Sequence, residues 1–230
     1  MTILRQGDPR AVYMPLPIPA AQRPEPEILA IDLGTTRSGW VIYRPEAPFS
    51  HRVVNHGHSP NAVVRRQVDA KAGLEEGRGL RSTTLVLEVP QSYNVPASMS
   101  LLMTGHWGGV FRAVWGDDST CELVARPSVK ALIAGSANAD DAAVKRAVEG
   151  RFGGREMAIG DQRCPGCEGK GGVGRGKDRA VCPECSGSKR TPPGPLHGVF
   201  KDVWQALALA IAYTEGVKLI DREIWAGADV

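Results

Sequence analysis

Residues 159–196 differ sharply from the rest of the chain. They are rich in Gly, Cys, Lys and Arg and contain almost no large apolar residue, whereas residues 199–213 (VFKDVWQALALAIAY) form a strongly apolar helical pattern. A helix that is apolar on nearly all sides has to be buried in a core. We therefore predict that residues 159–196 are an insert within one domain and not the end of that domain.

Two CxxC pairs lie within this insert. Fourteen residues separate Cys164-Pro-Gly-Cys167 from Cys182-Pro-Glu-Cys185, and four thiolates at this spacing suit tetrahedral Zn²⁺. We predict one structural zinc ion with Cys164, Cys167, Cys182 and Cys185 as its ligands. A redox-active CxxC pair is the alternative. The fifth cysteine, Cys121, lies in an apolar segment and is predicted to be a small core residue.

The two cysteine pairs continue as CxxCxGxG and CxxCxG, and they resemble the repeats of DnaJ-type zinc domains. In the second repeat Lys189 stands where the next Gly would fall. The resemblance implies a metal-binding hairpin without chaperone activity. Flexible, Gly-spaced bases suit contacts with a phosphate backbone, and an ordinary solvated surface is the alternative. The predicted phosphate-binding residues of the insert are Lys170, Arg175, Lys177, Arg179, Lys189 and Arg190.

The composition is that of an ordinary globular protein, with 42% apolar residues, 23% charged residues and a net charge of +3. A chain of 230 residues suits one good-sized domain with a small appendage. It contains no apolar run long enough to span a membrane and no signal-peptide pattern, so we expect a cytoplasmic protein with reduced thiols. The predicted organisation is a Pro-rich arm at 1–27, a core at 28–158, the insert at 159–196 and the end of the core at 197–230.

Alternating strand and helix patterns predict a mixed α/β domain. The predicted strands cover 28–31, 39–43, 51–55 and 83–89, and the predicted helices cover 61–80, 95–106, 140–152 and 199–213. Residues 110–115 and 121–124 fit a strand or a helix equally well. Three histidines, His51, His56 and His58, are interpreted as exposed loop residues, because no fourth ligand stands at metal-site spacing.

Three acidic residues stand where apolar segments begin or end. Asp32 follows the strand pattern ILAI, Glu88 ends the strand pattern TLVL, and Asp202 lies near the start of the C-terminal helix. Carboxylates suit Mg²⁺ or Mn²⁺, and two such ions about 4 Å apart would activate water and stabilise the leaving oxygen in phosphodiester hydrolysis. Taken singly, each acid also fits a turn, a strand end or a helix start favoured by the dipole.

The order of these motifs resembles the RNase H-like fold and, within it, the RuvC Holliday-junction resolvases. The similar segments are ILAIDLGTTRSGWVIY, LVLEVPQSY, TGHWGGVFRAVW, ARPSVKALIAGSANADDAAVKRAV and DVWQALALAIAY. The resemblance implies an α/β fold with an RNase H-like mixed sheet flanked by helices. It also implies that Asp32, Glu88 and Asp202 are metal ligands.

Three further roles follow from the same resemblance. Lys130 matches the basic residue near the scissile phosphate, and Arg126 is its weaker neighbour. Tyr93 matches an aromatic residue that stacks at the junction centre, where a stacked base contributes about 1–3 kcal/mol; an ordinary loop tyrosine is the alternative.

The chain departs from the family pattern at two places. Gln205 stands where the family usually has an acid directly before the Ala-Leu-Ala run. An amide oxygen can bind a metal but carries no charge, so we expect Gln205 or His197 to complete the metal site. Cellular RuvC proteins lack a zinc insert, and its presence favours a phage or mobile-element nuclease.

These features together predict a metal-dependent endonuclease that resolves four-way or other branched DNA. Two symmetric cuts in a junction predict a homodimer with two-fold symmetry. A catalytically inactive DNA-binding protein, which Gln205 would favour, is a second interpretation. The segment IDLGTT also resembles the phosphate-binding turn of sugar kinases and DnaK-type ATPases. That fold needs a second half for which the chain is too short, so no nucleotide cofactor is expected.

Overall fold

The computed structural model describes residues 26–77, 82–89, 99–116, 120–164, 166–173, 180–183 and 185–220. Most of the predicted Pro-rich arm lies outside these residues. The same holds for the predicted stacking residue Tyr93 and for three predicted phosphate-binding residues, Arg175, Lys177 and Arg179. The roles proposed for these positions stay predictions.

Five strands form one mixed sheet. They are β1 (Glu27–Asp32), β2 (Arg37–Tyr43), β3 (Val53–Pro60), β4 (Thr83–Val89) and β5 (Cys121–Ala125). The strand order is β3-β2-β1-β4-β5. Strands β1, β2 and β3 pair antiparallel, and β4 and β5 run parallel to β1. Strand β1 is buried along its whole length and β4 along most of it, which explains their continuous apolar sequences.

Helices cover both faces of this sheet. They are α1 (Asn61–Gly77), α2 (Met99–Trp115), α3 (Arg126–Ala134), α4 (Asp141–Arg151), α5 (Arg155–Ile159) and α6 (Val203–Thr214). Helices α1 and α2 pack on the face that carries Leu29 and Ile31. Helices α3, α4 and α6 pack on the face that carries Ile28 and Ala30. The prediction of a mixed sheet flanked by helices is confirmed.

Helix α6 lies at the centre of the second layer. Its residues from Ala206 to Ala210 are completely buried, and the helix lies against β1 and β2. The helix belongs to the same core as residues that precede the insert. None of the helices that the structure describes is both long and apolar enough to cross a membrane.

The insert leaves the core and rejoins it at one place. Gly160 and Pro193 form an isolated antiparallel bridge, and the Leu196 backbone N–H donates to the Ala158 carbonyl at 2.8 Å. Inside the insert, two very short strands pair antiparallel, β6 (Gly172–Val173) and β7 (Ala180–Val181). The helices on either side of the insert can therefore pack as if the insert were a single loop.

Three elements differ in extent from the prediction. Strand β3 lies further along the chain than the predicted strand at 51–55, and it contains two histidines that were predicted to lie in a loop. Residues 110–115 are the last turns of α2. Helix α6 begins at Val203, later than the predicted start at 199. Strand β3 has few apolar residues, so its pairing with β2, and not its own pattern, makes it a strand.

Candidate active site and cysteine cluster

One row of paired residues crosses the sheet at the carboxyl ends of β1 and β4. From β3 to β5 the row consists of His58, Gly39, Asp32, Glu88 and Val124. Residues directly paired on neighbouring strands point to the same face of a sheet. Because side chains alternate along a strand, this is the face that also carries Ala30 and that α6 covers. The row therefore places two acids side by side beneath the start of α6.

Gly39 lets the start of α6 approach this row. A Cβ atom built on Gly39 would lie 2.5 Å from the carbonyl carbon and oxygen of Asp202 and 2.9 Å from the Val203 nitrogen. Asp202 directly precedes α6. A residue without a side chain at position 39 is therefore what allows the backbone of Asp202 to lie against β2.

We expect Gly39→Ala to lower the free energy of unfolding by about 1–3 kcal/mol, as other overpacked sites do. The new methyl group meets backbone atoms, which cannot move aside like a flexible side chain. Gly150→Ala in α4 is the matched control, because an added Cβ there meets nothing within 4 Å, and alanine in a helix stabilises by up to about 1 kcal/mol. Urea denaturation followed by circular dichroism measures both variants. Equal stability of the two would contradict the close approach at Gly39.

The two neighbouring acids are almost completely removed from water. Asp32 is 5% exposed and Glu88 is 2% exposed. Burial, opposed by the nearby Arg126 and reinforced by the charge of Asp202, raises the pKa of Asp32 to about 6. Burial, followed by the charge of Asp32, raises the pKa of Glu88 well above its usual value. Without a bound cation, this pair holds a proton at a pH where exposed carboxyl groups are ionised.

Arg126 is the basic residue that contacts both acids. Its Nε lies 3.3 Å from Glu88 Oε1, and its Nη1 lies 3.9 Å from Asp32 Oδ1. The sequence predicts Arg126 only as the weaker neighbour of Lys130. In the described part of the chain, the four cysteines alone form a group of three or more metal-ligating residues whose ligand atoms all lie within 4.8 Å of one another. The acids thus converge less tightly, and Arg126 provides positive charge beside them.

Lys130 lies one helical turn after Arg126 on α3. Its Nζ donates to the Ala139 carbonyl at 2.8 Å and lies 3.5 Å from Asp141 Oδ1. Asp141 begins α4 and also lies 3.8 Å from Arg126 Nη2. Sequence reasoning missed Asp141, because two successive aspartates at a helix start suit capping; Asp140 does accept a hydrogen bond from the Ala143 N–H at 2.6 Å.

Two buried oxygens in this region have no hydrogen-bond partner. They are Oε2 of Glu88 and Oε1 of Gln205. Gln205 is 3% exposed and lines the same cleft as Asp202, which has a volume of about 720 Å³. Unpaired buried oxygens are costly, and a divalent cation would satisfy them. Carboxylate and amide oxygens are the ligands that Mg²⁺ and Mn²⁺ prefer, so this donor set fits such an ion.

The histidine that contacts Asp202 is His58 and not His197. The His58 Nε2 lies 2.9 Å from Asp202 Oδ2, and the His58 side chain is only 9% exposed. The interpretation of His58 as an exposed loop residue is therefore wrong. His197 Nε2 lies 3.6 Å from Asp161 Oδ2 at the base of the insert, so the structure does not bring it to the metal site. The alternation His56-Gly-His58 was the signal for a strand with both histidines on one face.

The four cysteines of the insert form one buried cluster. The Sγ atoms of Cys164 and Cys182 are 3.8 Å apart, and those of Cys167 and Cys185 are 3.6 Å apart. A zinc–sulfur bond of about 2.3 Å in a tetrahedral site puts sulfurs about 3.8 Å apart. The cluster is therefore compatible with a zinc site. Cys121 lies outside it, 3% exposed in the core of the sheet domain as predicted.

The bases of the insert that the structure describes are on its surface, and two are paired with acids. Lys170 Nζ lies 2.8 Å from Glu168 Oε2, and Arg190 Nε lies 2.6 Å from Asp161 Oδ1. Lys189 is exposed and has a positive φ of 71°. Exposed ion pairs are weak, so these bases remain available to a stronger anionic partner.

The fold is an α/β domain with a mixed five-stranded sheet flanked by helices, an acidic site beneath α6 and a separate four-cysteine cluster. No protein-family model matches the chain, and no curated protein matches it. Among solved structures, the chain is similar to RuvC from Thermus thermophilus, both alone and in complex with a Holliday junction substrate. The identities are 14% and 16% and the TM-score is 0.47 in each case, covering 84% of this chain and 99% of the RuvC chain. The similarity concerns the path of the backbone. The site is assigned from the residues of this chain alone.

Proposed function

We propose that this protein is a metal-dependent endonuclease that cleaves four-way or other branched DNA. The observation that carries the proposal is the row that places Asp32 beside Glu88, with Asp202 brought to it over Gly39. Asp32 and Glu88 come from distant parts of the sequence and are buried side by side, and the exposed carboxylate of Asp202 lies near them. A divalent cation would offset the cost of burying the charge of Asp32 and Glu88.

In the proposed site, Asp32, Glu88 and Asp202 hold Mg²⁺ or Mn²⁺, and Gln205 adds its unpaired amide oxygen. When bound, such ions would lower the pKa of water and neutralise charge on a reacting phosphate. Two ions per site would stabilise the attacking oxygen and the leaving oxygen. Arg126 and Lys130 lie beside the acids on α3 and stabilise negative charge on the phosphate. Burial of Asp32 and Glu88 strengthens these electrostatic interactions.

Branched DNA is the proposed substrate because of the resemblance in the sequence motifs. Paired cuts in a four-way junction need two active sites related by two-fold symmetry, and we therefore propose a homodimer. Tyr93 is the proposed stacking residue at the junction. The zinc-bound insert, with its exposed bases, is the proposed contact to the phosphates of a duplex arm.

A cleavage assay on a labelled four-way junction tests the proposal. With Mg²⁺, wild-type protein should make paired, symmetric nicks in the junction and none in a linear duplex of the same sequence. Asp32→Asn should lower the rate by more than about 100-fold, because even residues that only support metal ligands typically account for 10–100-fold. Junction binding should also weaken steeply with salt.

The second candidate is a junction-binding protein that does not cut. It is favoured by Gln205, a neutral residue at a position where the motif resemblance leads us to expect an acid. Tight binding of the junction with no cleavage in Mg²⁺ or Mn²⁺ would overturn the nuclease proposal and support this candidate.

A further inference from the structure

His58 is the β3 residue beside Gly39, and its side chain reaches Asp202. It is paired directly with Gly39 in the row that continues to Asp32. Because Gly39 has no side chain, the space above it is filled by the backbone of Asp202. The His58 Nε2 and the Asp202 Oδ2 meet there at 2.9 Å.

The tautomer of His58 follows from its second contact. The Arg37 Nε donates to the His58 Nδ1 at 3.3 Å, and the Arg37 Nη2 donates to the His58 carbonyl at 2.9 Å. A guanidinium group has no acceptor, so Nδ1 must accept and carries no proton. The proton of the neutral imidazole therefore lies on Nε2, which donates it to Asp202. A nitrogen that bears a proton cannot bind a metal, so the geometry favours a hydrogen-bond role for His58 over a ligand role.

The carboxylate of Asp202 is not held in place by burial. Its side chain is 53% exposed, unlike the buried side chains of Asp32 and Glu88. Asp202 precedes α6 at the N-cap position, where an aspartate usually accepts a hydrogen bond from the helix, but here it makes no capping hydrogen bond. The carboxylate is thus left available and is directed to His58. The ring of Phe200 packs edge-on against the imidazole, with centroids 6.4 Å apart, and restricts its rotation.

We propose that His58 is a positioning residue that holds the Asp202 carboxylate in place for the metal, and that Arg37 fixes the tautomer that makes this possible. The inference rests on the proposed function, because it takes Asp202 to be a metal ligand. Hydrogen bonds of this kind fix the orientation of a ligand before the metal arrives, and their loss typically costs 10–100-fold in metal affinity.

Mn²⁺ binding to zinc-loaded protein, measured by calorimetry, tests the proposal. His58→Ala should weaken Mn²⁺ binding about 10–100-fold, and His58→Gln should recover part of it, since its amide can still donate to Asp202. Arg37→Met, which leaves the imidazole in place, should cause a smaller loss and serves if His58→Ala fails to fold. His51→Ala, at an exposed histidine in the segment before β3, is the control and should bind like wild type.

Electron spin-echo spectroscopy of bound Mn²⁺ distinguishes a positioning role of His58 from a role as a metal ligand. A positioning role predicts no modulation from a coordinated histidine nitrogen, and such a modulation would overturn it. Unchanged Mn²⁺ affinity in His58→Ala would also overturn the inference while leaving the metal site intact. If wild-type protein binds Mn²⁺ no better than Asp32→Asn does, the proposed function fails and this inference fails with it.

Discussion

A Cys164→Ser variant should contain no bound zinc and should lose the fold of its insert, while the sheet and its helices remain folded. In the part of the insert that the structure describes, the four cysteines form the buried cluster, and the two strands beside them have two residues each. Such a segment has too little apolar surface to fold alone. Binding of a structural zinc ion contributes about 10–16 kcal/mol in small zinc domains, so the metal decides whether the insert is ordered.

Zinc content and limited proteolysis measure this effect together. Wild-type protein should contain one zinc ion per chain and resist trypsin within the insert, and Cys164→Ser should contain none and be cut there first. Cys121→Ser is the matched control, since this cysteine is buried in the sheet domain and not in the cluster; it should keep its zinc. Full zinc content in Cys164→Ser, or an insert that stays resistant after chelation, would contradict a structural zinc site.

The second large effect concerns Asp32 in protein without Mg²⁺ or Mn²⁺. Burial raises the pKa of Asp32 from 3.8 to about 6, so between these pH values the folded state holds a proton that the unfolded state has lost. Stability therefore falls as the pH rises from about 4 to 6, and stays low above that range. At about 1.4 kcal/mol per pKa unit, the ionised Asp32 costs on the order of 3 kcal/mol at pH 8. Asp32→Asn removes this cost.

We therefore expect Asp32→Asn to melt at a higher temperature than wild type at pH 8, with the difference shrinking as the pH approaches 4. The exposed Asp69 of α1 provides the control, and Asp69→Asn should leave the melting temperature unchanged at both pH values. Adding Mn²⁺ should raise the melting temperature of wild type and have little effect on Asp32→Asn. A variant less stable than wild type at pH 8 would show that the carboxylate of Asp32 stabilises the fold instead.

The sequence was sufficient to predict the positions of Asp32 and Glu88, because each acid ends an apolar run and parallel neighbouring strands bring such ends together. It also predicted Asp202 near the start of the last helix. It could not predict why Asp202 lies near these two acids. That depends on Gly39, a residue paired with Asp32 across the hairpin, and the contact exists only once α6 crosses the sheet.

The interpretation of His58 was wrong, and the contact of Arg126 with Glu88 was not predicted, for a related reason. His58 lies in a segment without an apolar alternation, and its strand is defined by pairing with β2. Arg126 and Lys130 share one helix, and their spacing in the sequence does not show which of them contacts Glu88. Contacts of this kind depend on how separate elements pack, which a local pattern does not contain. The four-cysteine cluster was easier to predict, because its members and their turns lie within one short segment.

The bridge between Gly160 and Pro193 has a consequence for how this protein can change over evolutionary time. Everything between these two residues can lengthen, shorten or be exchanged without altering the path of the chain from α5 to α6. Helix α6, and Asp202 at its start, would then keep their place on the sheet. The insert can thus diversify under one set of selective pressures, while the residues beneath α6 are held by another.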